Sequence, residues 1–288
     1  MRKLSKIIGA LCIGLIGLAS FNPPVTNAQT SENSLILKLN NAYVLYSDQQ
    51  LPYSDKSNRT LIPIRLISEV MGANVVWNSV DRKVTISRDQ IKFEVILGQK
   101  TAIVNNKEVP MDTIAAIKNN TVMVPARFIS DALGIKIDYN KNSNVVSMTD
   151  EAFFSADNLK GINEMERINE DYQGTLIPQG ITINFDPKGI NNKLSVKLLN
   201  NSSSGITKGQ LNRNMILYSG SSNIAFMGTR GMISPDGTTG YNKADIGPGK
   251  VYTDEMSWED SIFLNGKPIR YIFCNYFVTA SWYMKSQL

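Results

Sequence analysis

Histidine is absent from all 288 residues. This removes Ser-His-Asp and Cys-His catalysis, histidine-ligated zinc or copper, and the commonest general base. Cysteine is almost absent as well, occurring only as Cys12 and Cys274. The sequence has no S-x-x-K lysine-activated serine and no G-x-x-x-x-G-K-[ST] phosphate loop. The net charge is small too. The formal balance is 30 − 25 = +5, and three of the cations, Arg2, Lys3 and Lys6, lie at the extreme N-terminus. Without them the balance is 27 − 25 = +2, an ordinary solvated surface and not a nucleic-acid footprint.

Those three cations precede an apolar stretch, Ile7 to Leu18, that is too short to span a bilayer, and Thr26-Asn27-Ala28 offers small residues for cleavage. Residues 1–28 are therefore expected to be a secretory signal, leaving a secreted or cell-surface protein with no transmembrane span. An uncleaved anchor is the alternative. A lipoprotein at Cys12 is disfavoured because Leu11 stands where a small residue is needed. Cleavage would leave Cys274 as the sole thiol, so no internal disulfide is expected. Its apolar setting reads as a buried small hydrophobe.

A stretch from Arg59 to Trp77, RTLIPIRLISEVMGANVVW, is echoed from Asn120 to Tyr139, NTVMVPARFISDALGIKIDY. Setting Pro63 against Pro125 aligns Arg65 with Arg127, Glu69 with Asp131, Gly72 with Gly134 and Trp77 with Tyr139. Each copy reads as a short strand, a proline in the first helical turn, and a helix carried by Ile64, Ile67, Val70 and Met71 or by Phe128, Ile129, Ala132 and Leu133. A glycine then stops the helix in a left-handed conformation, and two strands follow. Upstream, Asn40-Asn41 and Asn105-Asn106 supply matching hairpin turns. Ile91 to Leu97 alternates as a half-buried strand between the copies. One such unit is too small to bury its apolar face, so the two are expected to share a core.

Paired (T/V)-(hydrophobic)-(V/I)-P-x-R-x-I-(S/A)-(E/D)-x-(hydrophobic)-G segments resemble the copper amine oxidase-like N-terminal domain, or stalk domain, of secreted bacterial proteins. The resemblance covers residues 35–150. It implies an α+β domain, a small antiparallel sheet wrapped around helix with two internal repeats. It does not carry the oxidase activity, whose copper ligands and quinone belong to another domain. No copper binding and no amine oxidation are expected.

Arg65 precedes Glu69 by four residues, as Arg127 precedes Asp131. That spacing favours a structural pair on one helical face, or an arginine bonded to loop carbonyls, over an anion site. Trp77 and Tyr139 read as core or rim packing, with glycan stacking as the alternative. After residue 150 the pattern changes. Residues 151–178 read as a linker or short helix, and residues 179–288 as a mainly antiparallel β-sandwich-like domain punctuated by turns at Asn200 to Gly205, Ser234 to Gly237 and Asn265-Gly266. Because each half exceeds a hundred residues, the two are expected to touch modestly and to fold separately.

No catalytic, cofactor or metal residues are assigned. The carboxylate clusters Glu164-Glu166, Asp254-Glu255 and Glu259-Asp260 read as exposed surface. A calcium loop at Asp236 to Asp245 departs from the EF-hand pattern. The expectation is a non-catalytic structural or binding protein of the cell envelope, its partner a cell-wall polymer or another envelope protein. The rivals are a carboxylate-dependent carbohydrate-active enzyme in the C-terminal half, or a carbohydrate-binding module presenting Trp258, Trp282 or Tyr241 on one face.

Overall fold

The structure is a computed structural model that describes residues 35–46, 52–155, 159, 176–184, 192–218, 224–228, 244–258 and 271–278. The expected signal, most of the expected linker, and the turns at Ser234 to Gly237 and Asn265-Gly266 lie outside these residues.

The first hairpin is β1 (Ile36–Leu39) and β2 (Ala42–Tyr46), turned at Asn40 with φ 49°. Strands β3 (Tyr53–Ser54) and β4 (Thr60–Pro63) lead into helix α1 (Ile64–Val70), and the hairpin β5 (Asn74–Asn78) and β6 (Lys83–Arg88) follows. Strand β7 (Ile91–Ile96) precedes the hairpin β8 (Thr101–Val104) and β9 (Lys107–Pro110), whose turn residues Asn105 and Asn106 both have positive φ. Strands β10 (Ala116–Lys118) and β11 (Thr121–Pro125) then lead into α2 (Ala126–Leu133), followed by β12 (Lys136–Asn140) and β13 (Val145–Thr149).

Pro63 and Pro125 close their strands in extended conformation, ψ 113° and 127°, and each helix begins one residue later. Proline thus acts as the hinge between strand and helix, with its fixed φ already compatible with both. The helices end alike. Gly72 and Gly134 have φ 69° and 72°, and the following N–H reaches back five residues, Ala73 to the Ser68 carbonyl and Ile135 to the Ser130 carbonyl. These bonds satisfy carbonyls that a helix end would otherwise leave open.

The second half contributes β14 (Leu176–Asn184), β15 (Asn192–Asn200), β16 (Leu211–Tyr218), β17 (Ile224–Gly228), β18 (Val251–Trp258) and β19 (Tyr271–Val278). The sheets are almost wholly antiparallel. One has five strands, β5-β6-β7-β8-β9, one has four, β10-β11-β4-β3, and one has three, β14-β15-β18. The largest has seven, in the order β12-β13-β1-β2-β19-β16-β17, with one parallel pair that sets Ile36 beside Val145.

The seven-stranded sheet overturns the expectation of modest contact between the halves. Strand β19 pairs directly with β2, Phe273 opposite Val44 and Cys274 opposite Tyr43. Alternate side chains then serve two cores. Val44, Ile216, Tyr218, Tyr271 and Phe273 join the helices and the five-stranded sheet in one apolar cluster. Tyr43, Leu45, Met215, Leu217, Ile272 and Cys274 join Leu194, Val196 and Leu198 of the three-stranded sheet in the other. A strand that successive side chains bury on both faces reads as an apolar run, as Tyr271 to Cys274 does before the buried polar Asn275.

The segment after β13 is likewise not a surface linker at its start. Phe153 and Phe154 are fully buried, the Phe154 N–H donates to the Val70 carbonyl at 2.7 Å, and its ring meets Phe273 edge-on at 5.3 Å. Each such side chain contributes roughly 1.5–3 kcal/mol by leaving water, so the first half is packed against the second before residue 155.

Candidate functional site

Among the described residues, a groove of about 600 Å³ lies between the β3–β4 turn and the β12–β13 hairpin. The start of α2 and Val146 line it as well.

One wall is fixed by Asp55. Its Oδ1 accepts the backbone N–H of Ser57 and of Arg59, both at 2.8 Å, and its Oδ2 accepts the Thr113 hydroxyl at 2.8 Å. Those donors, the Arg59 N–H foremost and the Thr113 hydroxyl next, hold its carboxyl below the usual range. By binding both segments, Asp55 places Arg59 beside Asp112. The Arg59 Nε lies 3.6 Å from Asp112 Oδ2, and Arg127 Nη1 approaches the same oxygen at 4.0 Å.

Arg127 is the second residue of α2, and Pro125 supplies no side-chain cap there. The opposite wall is β12, every residue of which is exposed. Tyr139 stands 49% exposed beside Ile137 at 37%, and its hydroxyl donates to Asn144 Oδ1 at 3.0 Å. Asn140 orders the adjoining turn by accepting the N–H groups of Asn142 and Ser143. Lys141 and Asp138 complete the charged lining, with Ser54, Asn58 and Thr60 opposite.

Arg127 and Tyr139, which the sequence places in a helix and a strand twelve positions apart, therefore meet at one groove. Arg127 approaches Asp112, a loop carboxylate, where Asp131 was expected, and Arg65 is exposed. Nothing in the four-residue spacing forces contact when a loop carboxylate offers a partner, since such pairs contribute only a few tenths of a kcal/mol. Asp112 was not singled out from sequence. It lies in a stretch with no periodic signal. Trp77 is 38% exposed on β5, one of the two edge strands of the five-stranded sheet.

A second polar constellation is closed to solvent. Arg213 on β16 meets Asp254 on β18 at 2.5 Å, and the Tyr276 hydroxyl donates to the other Asp254 oxygen at 3.2 Å. Burial pushes the Asp254 carboxyl up, opposed by the Arg213 charge and by the hydrogen bonds from Tyr276 and Arg213. Burial also raises the Cys274 thiol and, to about 12, the Tyr43 hydroxyl. The expectation of an exposed Asp254 was wrong: it is 3% exposed, and only its neighbour Glu255 faces water. The alternation of β18, with Asp254 and Met256 on the inward face, is the sequence signal that points to it.

Glu164-Glu166, Glu259-Asp260, Trp282 and Tyr241 lie outside the described residues, as does the side chain of Trp258. Of the Asp236 to Asp245 loop only its end is described, where Asp245 Oδ1 accepts the Lys208 N–H at 2.7 Å.

Residues 38–148 match the family model of the copper amine oxidase N-terminal domain. No family matches the C-terminal half, and no curated protein matches the chain. The domain is non-catalytic in itself. A histidine-held copper does not fit this chain, which has no imidazole, and among the described residues no three acidic or thiol side chains converge as ligands.

Proposed function

We propose, starting from the copper amine oxidase N-terminal domain at residues 38–148, that this chain is a secreted, cell-envelope-associated binding protein without catalytic activity, and that its partner is a cell-wall polymer. In this reading residues 35–150 carry two copies of one unit, an antiparallel sheet wrapped around helix. The resemblance between the copies is supported by the shared order of strand, proline, helix, left-handed glycine and hairpin.

The observation that carries the proposal is the groove. It is open, it is lined by hydrogen-bonding and charged groups, and it presents a half-exposed Tyr139 next to Arg127. Such a trough suits an extended chain that lies along it and leaves at both ends. The C-terminal strands support it indirectly, since β19 covers the β2 edge and thereby stiffens the sheet whose far edge is β12.

Co-sedimentation of the chain from Gln29 to Leu288 with isolated, protein-free cell wall tests the proposal. Pelleting that Arg127→Ala and Tyr139→Ala each reduce is expected. Pelleting of both variants equal to that of the parent, or no pelleting of the parent, would refute the groove as the binding site.

A further inference from the structure

We infer that the groove takes an acidic saccharide, a sugar chain bearing carboxylates. This deepens the binding reading above and rests on it.

The first ground is unused donor capacity. A guanidinium has five N–H donors in a planar fork. Arg59 and Arg127 each approach the same Asp112 oxygen, at 3.6 and 4.0 Å, beyond hydrogen-bond distance. The side chain of Arg127 is 66% exposed and that of Arg59 is 41% exposed. Two forks thus remain open at the groove, and planar forks recognise carboxylates through paired hydrogen bonds.

The charge of the lining decides between anions. Arg59, Arg127 and Lys141 face Asp112 and Asp138, so the balance is 3 − 2 = +1. A densely charged polymer would bring its anions against Asp112 and Asp138, and like charges held together oppose binding. A neutral glycan would leave the forks without a partner. A ligand with sparse negative charge and many hydroxyls matches both features, because Asp138, Ser54, Asn58 and Thr60 can exchange hydrogen bonds with hydroxyls. The third ground is the Tyr139 ring, tethered through its hydroxyl to Asn144 and flanked by Ile137. It offers the apolar face of a sugar ring a surface already held in place. The groove volume of about 600 Å³ lies within the ~300–1,000 Å³ of ligand sites.

Calorimetric titration of the chain from Gln29 to Leu288 at neutral pH and low salt tests this. The probes are a hyaluronan oligosaccharide, which carries a carboxylate on every second sugar, the same oligomer as its methyl ester, polyglycerol phosphate and polyglutamate. Binding is expected for the free acid alone, weakening with salt. Arg127→Ala should weaken it about tenfold, the loss of one charge-assisted pair. Arg127→Lys should fall between, and Lys107→Ala, on the β8–β9 hairpin, should match the parent. Equal binding of the methyl ester, equal or tighter binding of the phosphate polymer or the peptide, or an Arg127→Ala titration identical to the parent would each overturn the inference. If wall binding is lost in Arg127→Ala while the hyaluronan oligosaccharide does not bind, the ligand class is wrong and the groove stands. If wall binding ignores Arg127, both fall.

Discussion

Replacing Arg213 by methionine should cost more than any surface change in this protein, and the cost should depend on Asp254. The two side chains join β16 of the seven-stranded sheet to β18 of the three-stranded sheet across the second core, with Tyr276 as the register neighbour of Arg213 on β19. Their side chains are 9% and 3% exposed. Removing one partner of such a pair leaves an uncompensated charge out of water, about 3–5 kcal/mol. Removing both, as in Arg213→Met/Asp254→Leu, takes both desolvation penalties away and should cost much less than the sum of the single changes. Urea midpoints at pH 7 for the parent, both single variants and the double variant measure the coupling.

The pH dependence has a definite sign. Burial already raises the Asp254 carboxyl, and in Arg213→Met the opposing guanidinium is gone. The folded protein then holds the carboxyl proton more tightly than the unfolded chain does. The penalty is absent below the unfolded value of about 3.9 and grows as pH rises through the folded one. The variant should therefore recover toward the parent as pH is lowered from 7. A cost below about 1 kcal/mol, strict additivity in the cycle, or a penalty that deepens on acidification would refute the buried-pair account.

Gly134→Val should destabilise by about 1–3 kcal/mol. A Cβ there meets nothing within 4 Å and only the φ of 72° is strained. Gly134→Asn should recover most of that loss and Lys141→Ala should stay within about 0.5 kcal/mol; equal urea midpoints for all three would contradict the helix-stop assignment. In the chain from Gln29 onward, the fully buried Cys274, its thiol pushed up by burial, should resist alkylation until the protein unfolds. Rapid labelling under native conditions would show the second core to be open. A fragment of residues 35–150 should be aggregation-prone or much less stable than the whole, because β2 loses its partner β19 and the helix-side core loses the rings of Phe153, Phe154 and Phe273; a monomeric fragment with a cooperative transition at the parent midpoint would restore separable halves.

Local structure was legible because its causes are local. Asn105-Asn106 turns, Gly72 and Gly134 stop helices, and Phe93 and Val95 face inward on β7. Backbone stereochemistry and apolar period fix each of these within a few residues. The groove was half legible. The aligned sequence segments pointed at Arg127 and Tyr139, but Asp55, Arg59 and Asp112 come from turns whose partners are distant in the chain. Asp55 and Thr113 are 58 residues apart.

By itself the sequence determined the exclusion of histidine chemistry, the paired strand-proline-helix segments and the apolar character of β19. Tertiary structure alone decided that β19 completes the sheet begun by β1 and β2, that Asp254 is buried against Arg213, and that Arg127 approaches Asp112. The physical reason is the same in each case. An apolar run records that both faces of a strand will be covered, and a charged residue records that it needs a partner. Which surface or partner supplies these is set by tertiary contacts, 15 positions apart for Asp112 and Arg127, 41 for Arg213 and Asp254 and 229 for Val44 and Phe273, and no local period reports them.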